Sequence, residues 1–359
     1  MEDVKKELKK FTTKKVCAIE VRKGESISQL LSQMKETGFQ GKKLAEAVDV
    51  IKTMIEDKDA TILMGYAGSL STTGQWKIIK WFIENHFIDV LVPTGANISE
   101  DIVEAMGFSY WQGSHLVDNE KLFRVGINRY YDVYGLESDY YEMTNLIAEF
   151  ILTLKNGYAY SSREMLYLFG KWLSRKNIKS IVASAYENNV PVFCPAIIDS
   201  PYGDAGLIAK AKKFDLVIDT MKDYTEFMGL AEKIKATGVI YIGGGFPKDT
   251  IQLLAVTSDL LYENMKIPHK KGELTRYGTD ECYYPHKYAV QITTDSPQWG
   301  GLSGCTLEEA ISWGKESKKT RYSQCFCDAT IALPIISTAL SEIVKGKRKP
   351  RNLSLTFKS

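Results

Sequence analysis

The stretch Gly300–Lys315, GGLSGCTLEEAISWGK, sets an acid, an indole and a lysine close together in the chain. Thr306 and Glu309 fit an S/T-x-x-E capping box, which predicts a helix starting at Thr306. Gly314 is a natural C-terminal stop. Four residues apart on such a helix, Glu309 and Trp313 share a face. Lys315 lies just past the stop, within reach of the same pocket. A carboxylate and an indole face suit a cationic amine, with the lysine as covalent nucleophile. Taken alone, the stretch also admits a plainer account: Glu309 caps, Trp313 is core, and Lys315 is a solvated loop cation.

Other residues able to hold a ligand follow apolar runs that read as strands. Gly68-Ser69-Leu70-Ser71-Thr72-Thr73-Gly74 follows ATILMGY (60–66), and Pro93-Thr94-Gly95-Ala96 closes FIDVLVPTGA (87–96). Gly243-Gly244-Gly245 ends GVIYIGGG (238–245), and Thr293-Thr294-Asp295 ends YAVQITT (288–294). Small residues at helix starts expose backbone amides to phosphate, and nearby hydroxyls and carboxylates can hold ribose. That combination favours a dinucleotide, although the chain has neither G-x-G-x-x-G nor a Walker A loop. Asp199, Asp204, Asp249, Asp295 and Asp328 accompany these loops. Singly, each suits a solvated or capping role; converging on one concavity, they would recognise a polycation. The four histidines fall in no metal-ligand spacing, and no metal site is expected.

These loops need a scaffold, and the alternation of strands with helical periodicity supplies one. VPVFCPA (190–196) and DLVID (215–219) extend the strand pattern, while Trp76, Ile79, Phe82 and Ile83 form a helical stripe. Ser99 is placed to cap a helix over 99–107. The expectation is an α/β fold with a parallel sheet covered by helices on both faces. Leu44, Val48, Ile51 and Ile55 mark a helix ahead of the first strand, so residues 1–58 read as a helical extension and 59–344 as the main domain. The polar stretch 264–287 reads as an insertion loop. The basic run at 345–351 reads as the start of a solvated tail over 345–359.

Composition narrows the classes. The chain has 359 residues, 44% hydrophobic and 25% charged, with a formal net charge of +2. Nothing in that balance calls for nucleic acid or a membrane surface as partner. The six cysteines form no zinc pattern, the N-terminus lacks an apolar signal core, and no apolar run approaches a membrane span. A reducing cytoplasm is the expected location.

Several motifs taken together resemble the deoxyhypusine synthase family. They are SLSTTG (69–74), VLVPTGANISED (90–101), GINR (126–129), VPVFCPAIIDSPYGD (190–204), GGGFPK (243–248), LSGCTLEEAISWGK (302–315) and CDATIALP (327–334), in family order. The resemblance implies a Rossmann-like NAD-binding fold in a homotetramer with active sites at a dimer interface. It implies that spermidine is oxidised by hydride transfer to NAD. The imine then moves onto a lysine with release of 1,3-diaminopropane. The 4-aminobutyl group finally passes to an acceptor amine, and the hydride returns.

By motif, Lys315 is the imine-forming lysine, which must be neutral and which burial beside Trp313 would make less basic. Asp204, Glu309 and Trp313 match positions that hold spermidine. Ser69, Thr72, Thr94, Gly95, Glu100, Asp199, Gly244, Thr294, Ser303, Gly304, Asp328 and Ala329 match NAD contacts, with Gly243 and Gly245 in the same loop. The chain departs from the pattern where Asp249 replaces a histidine, where Trp299 and Leu302 replace acids, and where Asp295 replaces a small residue. Asp249 and Asp295 are therefore candidate polyamine ligands. The departures place the chain in the divergent, synthase-like branch. The acceptor implied is a lysine of the hypusine-containing translation factor; the alternatives are putrescine, giving homospermidine, or a silent NAD- or polyamine-binding protein.

Overall fold

Apolar runs bounded by glycine and proline become the strands of a parallel sheet. The computed structural model describes residues 2–265, 274–275, 282–351 and 353. The strands are β1 (Ala60–Tyr66), β2 (Val90–Pro93), β3 (Ala236–Ile242), β4 (Tyr288–Thr293) and β5 (Arg321–Phe326), ordered β5-β4-β3-β1-β2. Every pairing is parallel, with Ala60 opposite Ala236 and Tyr288 opposite both Gly238 and Arg321. A single parallel bridge from Leu91 to Val192 adds a further edge beyond β2. Counting that edge, the chain-order sequence across the sheet is 3-2-1-4-5-6, the Rossmann arrangement.

Strand residues alternate between two buried faces, as a helix-covered parallel sheet requires. On one face Ile62, Met64, Ile240, Ile242, Val290 and Ile292 join a core with Leu44, Val48, Ile51 and Ile55 of the Phe39–Glu56 helix. Helices Trp76–Glu84 and Ala329–Ile343 cover the same side. On the other face Leu63, Val92, Val239 and Ala289 pack with Phe227, Ile251 and Leu254. Each such Val, Leu, Ile, Met or Phe side chain contributes roughly 1.5–3 kcal/mol on burial. Among the described residues no helix is long and apolar enough to cross a membrane.

Some expected elements take another form. VPVFCPA contributes only the Val192 bridge, because Pro191 and Pro195 have no N–H to extend a ladder. DLVID shrinks to Val217–Ile218, paired with Ala159–Tyr160 outside the main sheet. Its end residues are committed elsewhere: the Asp215 amide donates to Asn156, and the Asp219 carboxylate caps the following helix. Strand β5, RYSQCF, escapes the sequence reading because polar and exposed residues interrupt it at the sheet edge. Ser99 does precede the Glu100–Ala105 helix, but its hydroxyl bonds back to Gly95 and Ala96. Of 264–287, residues 274–275 and 282–283 form a short antiparallel pair, and 266–273 and 276–281 lie outside the described residues.

The lysines of the basic run are exposed as its composition suggests, but its two arginines are tied down, and residues 352 and 354–359 of the expected tail lie outside the described residues. Arg348 Nη1 donates to Asp89 Oδ2 at 2.7 Å, with the two side chains 8% and 2% exposed. Arg348 and Arg351 also donate to the Ala60 carbonyl, closing the amino ends of β1 and β2. A carboxylate that accepts from the Ile62 amide beneath the sheet needs a cation, and the run supplies it. Arg348→Ala should therefore destabilise the protein by about 3–5 kcal/mol by stranding Asp89. Adding Asp89→Asn should restore part of that loss. Urea unfolding of the two variants checks this, and a single-mutant loss below about 1 kcal/mol would contradict the clasp.

Candidate active site

β1 and β3 are neighbours whose chains leave toward opposite faces, one into the Trp76–Glu84 helix and one into Gly245–Met265. Ligands of open α/β sheets gather at such a switch point, outside the carboxyl ends of the strands. There the Ala67 amide donates to Ile242 O at 3.0 Å, and the Thr94 amide to Tyr66 O at 3.0 Å. Asn97 ties the loops after β1 and β2. Its Oδ1 accepts from the Leu70 and Ser71 amides, and its Nδ2 donates to Gly68 O and Thr94 Oγ1. Ser69 is exposed beside it, while the Thr72 hydroxyl is turned inward onto Ser69 O.

Two glycines are dictated by close approach. A Cβ on Gly95 would lie 2.7 Å from Ser200 Cβ, and one on Gly244 would lie 2.3 Å from Ser303 Cα. Gly243 and Gly245 take positive φ, which lets the chain turn sharply into the long helix. Beneath this crossing Gln291 of β4 is fully buried and uses both ends of its amide. Nε2 donates to the Gly243 and Ser303 carbonyls, each at 2.9 Å, and Oε1 accepts from Lys248 Nζ at 3.0 Å. Lys248 also donates to the Leu302 and Cys305 carbonyls, and burial lowers its pKa. Neither Gln291, Lys248 nor Asn97 was singled out from sequence. A glutamine interrupting the apolar YAVQITT was the available signal.

Lys315 stands at the end of this network. The expected α-helix at Thr306 is instead a 3-10 turn over Glu309–Trp313, with Thr306 Oγ1 accepting from the Glu309 amide and Gly314 left-handed as the stop. The turn covers five of the seven residues between Thr306 and Gly314. At three residues per turn Glu309 and Trp313 lie about 120° apart, so they do not share a face. Trp313 is 57% exposed rather than core, yet its ring centre lies 5.4 Å from Lys315 Nζ. Lys315 is itself buried, not solvated, and its Nζ donates to Asp249 Oδ1 at 3.2 Å and Gln252 Oε1 at 3.3 Å. Its carbonyl accepts from the His286 amide at 2.9 Å.

The remaining candidates divide between open and occupied. Asp199 and Asp204 are exposed on the segment that Gly95 touches, and Glu309, Thr294 and Asp328 are also exposed. Asp328 caps the Ala329–Ile343 helix, with its carboxylate accepting from the Thr330 amide. Asp295 accepts from the Ser303 hydroxyl, which keeps its pKa low, so it pins the Ser303–Gly304 turn. Glu100 is buried behind Tyr140, whose hydroxyl donates to Oε1 at 3.0 Å, while Oε2 has no partner among the described residues. Burial raises its pKa to about 7.

Lys315 is thus buried among the Asp249 carboxylate, the Gln252 amide and the Trp313 indole. A family model described as deoxyhypusine synthase matches residues 29–340. The chain belongs to the deoxyhypusine synthase family. It is 43% identical to "Probable deoxyhypusine synthase 2" of Methanosarcina mazei, over 94% of this chain and 93% of that one. It is 45% identical to the protein of the same name in Archaeoglobus fulgidus, covering 88% and 98%. Identity to a "Deoxyhypusine synthase-like protein" of Chlorobaculum tepidum is 36%, covering 87% and 85%. Among solved structures, a proposed deoxyhypusine synthase from Entamoeba histolytica shares the fold with TM-score 0.61 at 16% identity, covering 93% and 99%.

The buried acids give this family fold a pH signature. Glu100, Asp101 and Glu316 are each raised to about 7, in every case first by burial. Between about pH 4.5 and 7 the native state keeps protons that the unfolded chain has released, so stability falls as pH rises through that window. Urea unfolding at about pH 5 and pH 8 should show the loss, and Glu100→Gln should reduce it. A stability that rises across the window would contradict the assignment.

Proposed function

We propose that the protein transfers the 4-aminobutyl group of spermidine, with NAD as retained cofactor, through an imine on Lys315 to an acceptor amine. The observation that carries this reading is Lys315 itself, buried with its Nζ between Asp249 and Gln252 and 5.4 Å from the Trp313 ring centre. An amine kept from bulk water beside a carboxylate and an indole suits attack on the carbon of a substrate imine. Displacement at that carbon releases 1,3-diaminopropane and leaves the aminobutyl group on Lys315. Attack by the acceptor amine then frees the lysine. Asp204, Glu309 and Asp249 would hold the ammonium ends of spermidine, and Trp313 would pack on its alkyl chain. Asp295 is a weaker ligand in this reading, since Ser303 already engages it.

NAD would fit the loops at the switch point. Open space surrounds the Cβ position of Gly245, where the Gly245–Met265 helix begins, which suits a phosphate. The unpartnered Glu100 Oε2 suits a ribose hydroxyl. Ser69, Thr72, Thr94, Gly95, Asp199, Gly243, Gly244, Thr294, Ser303, Gly304, Asp328 and Ala329 would complete the lining. Bound there, NAD would supply a hydride acceptor and donor, so the overall transfer involves no net redox change.

The acceptor in this reading is a lysine of the hypusine-containing translation factor. A second reading, with free putrescine as acceptor, is favoured by Asp249, whose carboxylate adds a ligand for a small diammonium beside Lys315. The protein would work as a cytoplasmic homotetramer.

Incubation with NAD and spermidine, followed by borohydride reduction and peptide mass spectrometry, should place an aminobutyl adduct on Lys315 and release 1,3-diaminopropane. Lys315→Ala should abolish the adduct and reduce release at least about 10³-fold. Diaminopropane release by the native protein without an adduct on Lys315 would sink the covalent route. Adding the translation factor or putrescine separates the acceptors: modified protein supports the first and homospermidine the second.

A further inference from the structure

The proposed chemistry gives no task to GINR (126–129), one of the motifs that carry the family resemblance. The motif lies in a small antiparallel sheet outside the main one, where Val133–Leu136 pairs with both Trp111–Gln112 and Ile127–Tyr130. Gly126 takes φ 71°, and its carbonyl accepts from the Glu137 amide at 2.9 Å. Asn128 Nδ2 donates to Glu137 Oε2. Arg129 braces the hairpin, with Nε donating to Asn119 Oδ1 at 2.7 Å and Nη1 to Tyr131 O at 2.8 Å. Backbone and side chain of Glu137 are thus both tied to the motif, which sets where the Glu137–Ile151 helix begins.

Tyr140 follows Glu137 by three residues, in the first turn of that helix. Its hydroxyl donates to Glu100 Oε1 at 3.0 Å. Tyr110, just ahead of the small sheet in the chain, donates its hydroxyl to the Glu100 carbonyl at 3.1 Å. The Tyr110 ring meets Tyr130 edge-on, with centres 6.3 Å apart, and a Cβ on Gly135 would lie 3.2 Å from Tyr110 Cε1. Two phenols therefore hold Glu100, one at the backbone and one at a single carboxylate oxygen. The other oxygen, Oε2, is buried with no partner among the described residues. An open buried acceptor is costly, and it suits a donor brought by a ligand. Only the Ala96–Ile98 turn and Ser99 separate Glu100 from Thr94 and Gly95 of the loop after β2.

The geometry points to Tyr140 as a positioning residue for the cofactor: anchored through GINR, it grips Glu100 Oε1 and leaves Oε2 set to accept from a ribose hydroxyl. This role rests on the reading of Glu100 as an NAD contact. The terminal torsion of a glutamate is broad and roughly two-fold, so without the phenol the carboxylate is free to turn. An acceptor fixed before binding spares the complex the entropy of ordering it. GINR then acts on the cofactor at third hand, through Glu137, Tyr140 and Glu100.

Calorimetric titration of the purified protein with NAD, without spermidine, tests this role as a double-mutant cycle. Tyr140→Phe keeps the ring, removes the hydroxyl and should weaken NAD binding about tenfold. In a Glu100→Ala background no carboxylate needs holding, so adding Tyr140→Phe should change the affinity by less than about twofold. A merely structural tyrosine would cost the same in both backgrounds. Asn128→Ala, one link farther out, should weaken binding by about threefold and lose its effect in the same way. If Glu100→Ala binds too weakly to titrate, Glu100→Gln takes its place, because a neutral amide gains less from the phenol and the Tyr140→Phe loss should still shrink. If Tyr140→Phe fails to fold, the Asn128→Ala cycle decides. Equal losses in both backgrounds, or native affinity in Tyr140→Phe, overturn the positioning role and leave the cofactor reading intact. A native protein that binds no NAD overturns both.

Discussion

The site depends on hydrogen bonding below the glycine loops, where no solvent is available to satisfy a stray carbonyl. Gln291 closes the Gly243 and Ser303 carbonyls with one end of its amide and receives Lys248 with the other. Gly244 approaches Ser303 too closely for any side chain between them. Two loops from different strands are thereby locked to one amide. A buried network of this kind is stable only when every member is satisfied, so it specifies one arrangement of the loops above it. The strand ends are held by this bonding, and the hydrophobic sheet below fixes where the bonding occurs.

Lys315 draws its character from the same logic. Its segment is a 3-10 turn stopped by a left-handed glycine, and the His286 amide fastens its carbonyl. The backbone is fixed, so the long side chain has one direction to go: past the indole and into the cluster of Asp249 and Gln252. The open and closed sides of that pocket differ. Trp313 and Glu309 are exposed, while Glu316, Gln252 and Lys248 lie within. One side is suited to meeting a substrate and the other to holding the amine in place.

Much of this could be read from the chain before the fold was known. The apolar runs of β1, β2, β3 and β4 were legible because both sheet faces are buried, which gives continuous hydrophobic stretches. β5 was not, since an edge strand with Arg321 and Tyr322 exposed lacks that signature. Lys315 meets Asp249, where the chain departs from the family pattern, because Asp249 and Gln252 share a face in the first turns of the Gly245–Met265 helix. Glu309 and Trp313 part company for a reason that spacing cannot reveal: the segment winds as a 3-10 turn rather than the α-helix that spacing assumed. Buried polar residues were the least legible. Lys248 and Asn97 look ordinary in sequence, and only the tertiary positions of their partners make them, with Gln291, structural centres.

The clasp of Arg348 on Asp89 reaches from the last part of the chain to the first strands. A nascent chain that has made β1 and β2 carries Asp89 in place but lacks its counter-ion until residue 348 has been synthesised. The amino edge of the sheet is therefore completed late, by a contact spanning most of the sequence, and such contacts slow folding through the entropy of closing long loops.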